Sequence, residues 1–177
     1  LVAQRLKQTI VYVTHDQTEA MTLADRIALM QAGRILQYDR PQVLYNEPTS
    51  EFGGWFLGNP GMNFVPAEVT DGKIISPVLA APLPAPAGLK AGGKIKIGIR
   101  PEQVRMVGEA QGGSVSATLT EQAIGIAGRY LTKVRIGDTV LKVNTESRPP
   151  APLGGTVYLI APHERLMLFC DGQRVAS

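Results

Sequence analysis

His15 closes a six-residue run, TIVYVT at 9–14, that is almost unbroken in apolar and β-branched residues. Such a run predicts a strand buried on both faces of a parallel sheet. In an open α/β sheet the carboxyl ends of the strands are where ligands bind, and an imidazole placed there can donate to a phosphate oxygen. Taken alone, a single histidine is more often structural or solvated than reactive, so its surroundings decide its meaning. A second candidate, Gly88-Leu-Lys-Ala-Gly-Gly93-Lys94, has the spacing of a phosphate-binding loop as far as the lysine. That loop requires Ser or Thr next, to hold magnesium, with a strand before it and a helix after it. Ile95 follows instead, between a proline-rich stretch and an alternating strand pattern, so the match is not read as a nucleotide loop. Arg100 and Glu102 flank Pro101 at the end of another alternating run; they are candidates for an interface pair. The plainer reading is a turn whose charges meet water or each other, for at most about 1 kcal/mol. Cys170 is the single cysteine, makes no internal disulfide and reads as inert packing.

The elements that must hold these residues follow from pattern. Asp16 and Glu19 stand in capping-box spacing, and Ala20, Leu23, Ala24 and Ile27 recur at helical intervals, so a helix is expected directly after His15. IALMQ (27–31) and RILQY (34–38), separated by Ala32-Gly33, predict a β-hairpin. Pro41 suits the first turn of a short helix over 41–46, and a second is expected between Ser50 and Leu57. Gly58-Asn59-Pro60-Gly61 is punctuation, which divides the chain into residues 1–60 and 61–177. Beyond Asn63 come short alternating runs cut by Gly and Pro: 64–69, 94–100, 114–124, 129–136, 139–143, 156–161 and 165–169. Spaced at about ten residues with turn signals between them, they predict a small antiparallel barrel. Pro82, Pro84 and Pro86 are expected to keep 80–88 out of any sheet, as an extended surface loop.

Composition sets the outer limits. With 177 residues, 44% of them apolar, the chain can build one ordinary domain or two small ones. No stretch approaches the roughly 18 consecutive apolar residues of a membrane helix, and no charged segment followed by an apolar signal core opens the sequence. The net charge of +3 is dispersed, without cations interleaved with aromatics, so nucleic acid is not an expected partner.

The string Val11-Tyr-Val-Thr14-His15-Asp16-Gln17-x-Glu19-Ala20-Met21-x-Leu23-Ala24-Asp25-Arg26 closely resembles the switch region of ABC ATPase subunits. Met30-Gln-Ala-Gly33-Arg-Ile-Leu-Gln37 and Pro41-x-x-Leu44-Tyr45-x-x-Pro48 resemble the hairpin and helix that follow it. Phe56-Leu57-Gly58-Asn59-Pro60-x-Met62-Asn63, Ile97-Gly98-Ile99-Arg100-Pro101-Glu102 and Leu168-Phe169-x-Asp171-Gly172 resemble the regulatory region of importers for sugars and glycerol-3-phosphate. The resemblance implies the end of a RecA-like α/β ATPase domain over 1–60, followed by an all-β regulatory domain of OB-like, TOBE-type barrels over 61–177. It implies that His15 is the switch histidine, which holds the γ-phosphate and the attacking water while an upstream glutamate activates that water. ATP and magnesium would serve the intact subunit. The Walker A loop, the signature motif and the Walker B acids would lie before Leu1, so these residues are expected to be the carboxy-terminal part of a longer protein and inactive alone. Implied partners are a second copy of the subunit, two membrane-spanning permease subunits and a regulatory protein, all at the cytoplasmic face of a bacterial inner membrane, with Arg100 and Glu102 as the candidate residues of a regulatory interface. The competing expectation, from another class, is a stand-alone OB-like module that binds a small ligand or a protein.

Overall fold

A computed structural model of the chain describes residues 9–87, 89, 93–125 and 128–175. Helix α1 (Gln17–Leu23) starts where its cap dictates: the Asp16 carboxylate accepts from the N–H groups of Thr18 at 2.7 Å and Glu19 at 3.2 Å. Two amide donors that the helix leaves unpaired are thereby satisfied. Only half of the expected capping box forms. The Asp16 N–H donates to Thr14 Oγ1 at 3.0 Å, and Glu19 instead accepts from the hydroxyls of Thr14 at 2.8 Å and Tyr12 at 3.1 Å.

Strands β1 (Ile27–Gln31) and β2 (Arg34–Asp39) form the expected hairpin. Its turn residues Ala32 and Gly33 have φ of 49° and 75°, the primed geometry that matches strand twist. Helix α2 (Pro41–Asn46) begins on its proline, and α3 (Glu51–Phe56) is capped by the Ser50 hydroxyl, which accepts from the Gly53 N–H at 3.2 Å. Leu29, Leu44 and Leu57 make a small core here, with Met21, Ile27, Phe52 and Phe56 packed around it.

Residues 9–14 depart from expectation. They form no strand and join no sheet, and Val11 and Val13 are 87% and 90% exposed instead of doubly buried. A parallel strand takes its hydrogen bonds from neighbours on both sides. Among the described residues no strand lies beside this segment, and every strand pairing is antiparallel.

The remainder is all β. One sheet has the order β10-β9-β8-β11-β7, built from β7 (Arg105–Val107), β8 (Val115–Ile124), β9 (Tyr130–Ile136), β10 (Thr139–Thr145) and β11 (Thr156–Ile160). The other, in the order β13-β12-β6-β3-β4-β5, comprises β3 (Asn63–Thr70), β4 (Lys73–Ile75), β5 (Leu83–Pro84), β6 (Ile95–Ile99), β12 (Met167–Cys170) and β13 (Gln173–Arg174). Alternating residues from both sheets, among them Val65, Ile97, Leu119, Val134, Leu141, Val143, Val157 and Leu159, fill one shared core. The period-two pattern read from the sequence is therefore the pattern of burial.

Two details correct the expectations. Leu83 and Pro84 pair with Ile74 and Lys73, so the proline stretch does enter a sheet. It does so as the edge strand, where a residue without an N–H costs no ladder bond. The short strands β4 and β13, which the alternation did not reveal, close hairpins at Asp71-Gly72 and Asp171-Gly172, where all four residues have positive φ. Gly88 and residues 90–92 of the loop-like match lie outside the described residues, while Ile95 does open a strand.

Asn63 joins the two sheets. Its side-chain amide donates to the Lys142 carbonyl at 2.8 Å, and its side-chain carbonyl accepts from the Lys142 N–H at 2.8 Å. The side chain thus acts as one rung of a strand ladder between β3 and β10. Asn63→Leu is expected to fill the same space but strand both backbone groups, lowering unfolding free energy by about 2–4 kcal/mol. Urea denaturation would register this as a lower midpoint with an unchanged slope.

Candidate functional site

Two arrangements gather the residues singled out by sequence. The first is the turn around His15, where Thr14 and Asp16 fix the backbone on either side through the bonds already described. The imidazole itself is exposed, and among the described residues it has no hydrogen-bond partner. Tyr12 and Thr14 both bond Glu19 behind it, and the Glu19 carboxylate raises the Tyr12 phenol above its ordinary range. The turn therefore presents one imidazole to solvent on a backbone held by hydrogen bonds. It offers a donor toward an anionic ligand.

The second arrangement is centred on Arg100, which is 1% exposed. Strand β6 ends at Ile99 and Pro101 starts a 3-10 turn, Pro101–Gln103, so the guanidinium is aimed back under α2 and α3. Nη1 donates to the carbonyls of Gly54 at 2.8 Å and Leu57 at 2.7 Å, and Nη2 donates to that of Tyr45 at 2.6 Å. These carbonyls lie in the last turns of two short helices, where carbonyls lack donors within the helix and carry partial negative charge; that of Gly54 also accepts from the Met62 N–H at 3.1 Å. The Tyr45 ring lies over the guanidinium at 3.9 Å, and the Tyr45 hydroxyl donates to Glu102 at 2.6 Å. Burial lowers the Arg100 pKa, while Tyr45 and Glu102 act against that shift. Burial, then the Glu102 hydrogen bond and charge, push the Tyr45 phenol up to about 12, with the Arg100 cation opposing.

Arg100 and Glu102 are thus joined through Tyr45 and not as a direct ion pair, and the Arg100 head faces protein carbonyls instead of solvent. Glu102 remains exposed. Gln17 and Gly58 form a third contact that sequence did not indicate: the Gly58 N–H donates to Gln17 Oε1 at 2.8 Å. Tyr45 was visible only as a helical position within the Pro41-to-Pro48 stretch. No group of three or more His, Cys, Asp or Glu that could hold a metal exists among the described residues. None of their helices is long and apolar enough to cross a membrane.

Residues 58–104 match the family described as the MalK OB fold domain. Over 97% of its length the chain is 36% identical to the sn-glycerol-3-phosphate import ATP-binding protein UgpC of Salmonella typhi, covering 49% of that protein. It is 34% identical to the UgpC of Chromobacterium violaceum, over 94% of the chain and 45% of the relative. It is 43% identical to the maltose/maltodextrin import ATP-binding protein MalK of Photorhabdus laumondii, over 57% of the chain and 29% of the relative. The chain spans about half the length of the UgpC relatives it matches.

The half-buried phenol of Tyr45 gives a spectroscopic handle. Because the folded-state pKa of Tyr45 is raised, its neutral form stabilises the fold below pH 10, and that contribution is lost as pH rises from 10 toward about 12. Absorbance titration at alkaline pH is expected to show one tyrosine ionising near 12, and that late step is expected to vanish in Tyr45→Phe.

Proposed function

We propose, from the premise that this chain belongs to the ATP-binding subunits of ABC importers for sugars and glycerol-3-phosphate, that it works within such a subunit as the switch-histidine region and an OB-like regulatory domain. In this reading residues 1–60 complete the ATPase domain and residues 61–177 form the regulatory and dimerisation domain. The subunit pairs with a second copy and with two membrane-spanning permeases, at the cytoplasmic face of the membrane, and energises uptake by hydrolysing ATP.

The observation that carries the reading is the position of His15. Its imidazole is exposed, one residue before the cap of α1, in a chain similar to import ATP-binding proteins over nearly its whole length. Phosphoryl transfer depends on positioning and on stabilising charge at the phosphate oxygens. An imidazole on a backbone fixed by the Thr14 and Asp16 hydrogen bonds donates to the γ-phosphate without the protein reorganising first. Among the described residues no three acids, histidines or cysteines gather around a metal position, and in this reading the magnesium ligands and the phosphate cradle belong to other parts of the longer protein.

In the longer subunit, His15→Ala is expected to reduce kcat for ATP by at least about 100-fold and leave nucleotide affinity within a few fold, as for a group acting on the transition state. Turnover close to wild type would remove the switch assignment. The 177-residue chain alone is expected to give no heat of Mg-ATP binding by calorimetry, because one imidazole cannot replace a phosphate cradle.

A further inference from the structure

We propose that Gln17 is a positioning residue that ties the His15 turn to the β-region through the Gly58 amide; this rests on the switch reading of His15 and extends it. Helix α1 has seven residues and none of them is buried. A helix that short is not stable by itself, so its direction is set by whatever ties it down. Two ties exist among the described residues: Met21 packs on the Leu29, Leu44 and Leu57 core, and Gln17 accepts from the Gly58 N–H at 2.8 Å across 41 residues of sequence. That N–H also meets the Phe56 carbonyl at 3.2 Å, the longer of its two contacts.

Gly58 is itself held. The carbonyl before it, on Leu57, accepts from Arg100, and a Cβ at position 58 would lie 2.8 Å from Arg100 Nη1 and 3.1 Å from the Pro60 carbonyl. The glycine also has φ of +155°, where side chains are disfavoured. Arg100, Leu57 and Gly58 are therefore a fixed point, and Gln17, two residues beyond His15, is attached to it. A catalytic side chain must be held to within about half an ångström, and a misplacement near 1 Å can cost on the order of 100-fold in rate. Gln17 touches no reacting atom and acts through the turn.

Two variants in the full ATP-binding protein separate this role from general stability. Gln17→Leu keeps the size and removes the acceptor, whereas Gln17→Glu keeps an oxygen at the same place. With Leu, hydrogen exchange at the Gly58 amide is expected to rise about tenfold, from loss of one hydrogen bond, and kcat to fall about 5- to 30-fold with KM for ATP within twofold. With Glu, both are expected to stay near wild type. Unchanged exchange at Gly58 in Gln17→Leu overturns the proposal, as does unchanged kcat when exchange rises, or equal loss of kcat in both variants. The switch reading fails separately, through wild-type turnover in His15→Ala, a result that leaves the exchange behaviour of Gly58 untouched.

Discussion

One guanidinium, that of Arg100, holds the helical and β parts of the chain to each other. A charge buried this fully would be prohibitive without compensation, since desolvating an ion costs several kcal/mol even after relaxation. Here the compensation is geometric: three carbonyls from two helix ends accept its N–H groups, and the Tyr45 ring covers its face. The planar fork of arginine suits this, because one head can reach three acceptors in fixed directions. Among the described residues its Nε has no partner, so the fit there is not complete. The helix ends gain as much as the cation does, since α2 and α3 are each six residues long and leave carbonyls that need donors.

Further contacts follow the same seam. Lys96 on β6 pairs with Glu51 at the start of α3 at 2.6 Å, and Ser50 bridges to Gln173 next to the Asp171-Gly172 turn. Gly61 packs so tightly against the Trp55 carbonyl that a side chain there would collide with backbone. The Gly58-to-Gly61 punctuation is thus a place where the chain changes direction, while the residues on either side of it are bonded across. In the functional reading this gives the regulatory domain a stiff connection to the switch region, the kind of contiguous network through which one part can bias another.

The sequence was most legible where one physical rule acts alone. Alternation located the main β-strands because one face of each meets a common core, and Asp16, Ala32-Gly33, Pro41 and Ser50 marked local starts and turns through backbone chemistry. It was least legible where two bodies meet. In β6, Ile97, Gly98 and Ile99 are all buried, because the outer face is covered by Met62 and Phe169. The period-two rule, which assumes one wet face, therefore left Arg100 looking like a solvated turn residue. Gly98 was the available signal, since a glycine inside a strand often marks close approach. The run 9–14 failed in the other direction: its composition expects neighbouring strands, and the described residues supply none.

The central claim is that Arg100 stabilises the fold by serving several carbonyls at once and not merely by its charge. Urea unfolding of Arg100→Met and Arg100→Lys against wild type tests it most directly. The claim predicts a loss of about 2–4 kcal/mol for Met, and for Lys a loss of at least half as much, because an ammonium on a single stem cannot face all three acceptors. A Met variant within about 0.5 kcal/mol of wild type would contradict it, as would full recovery by Lys.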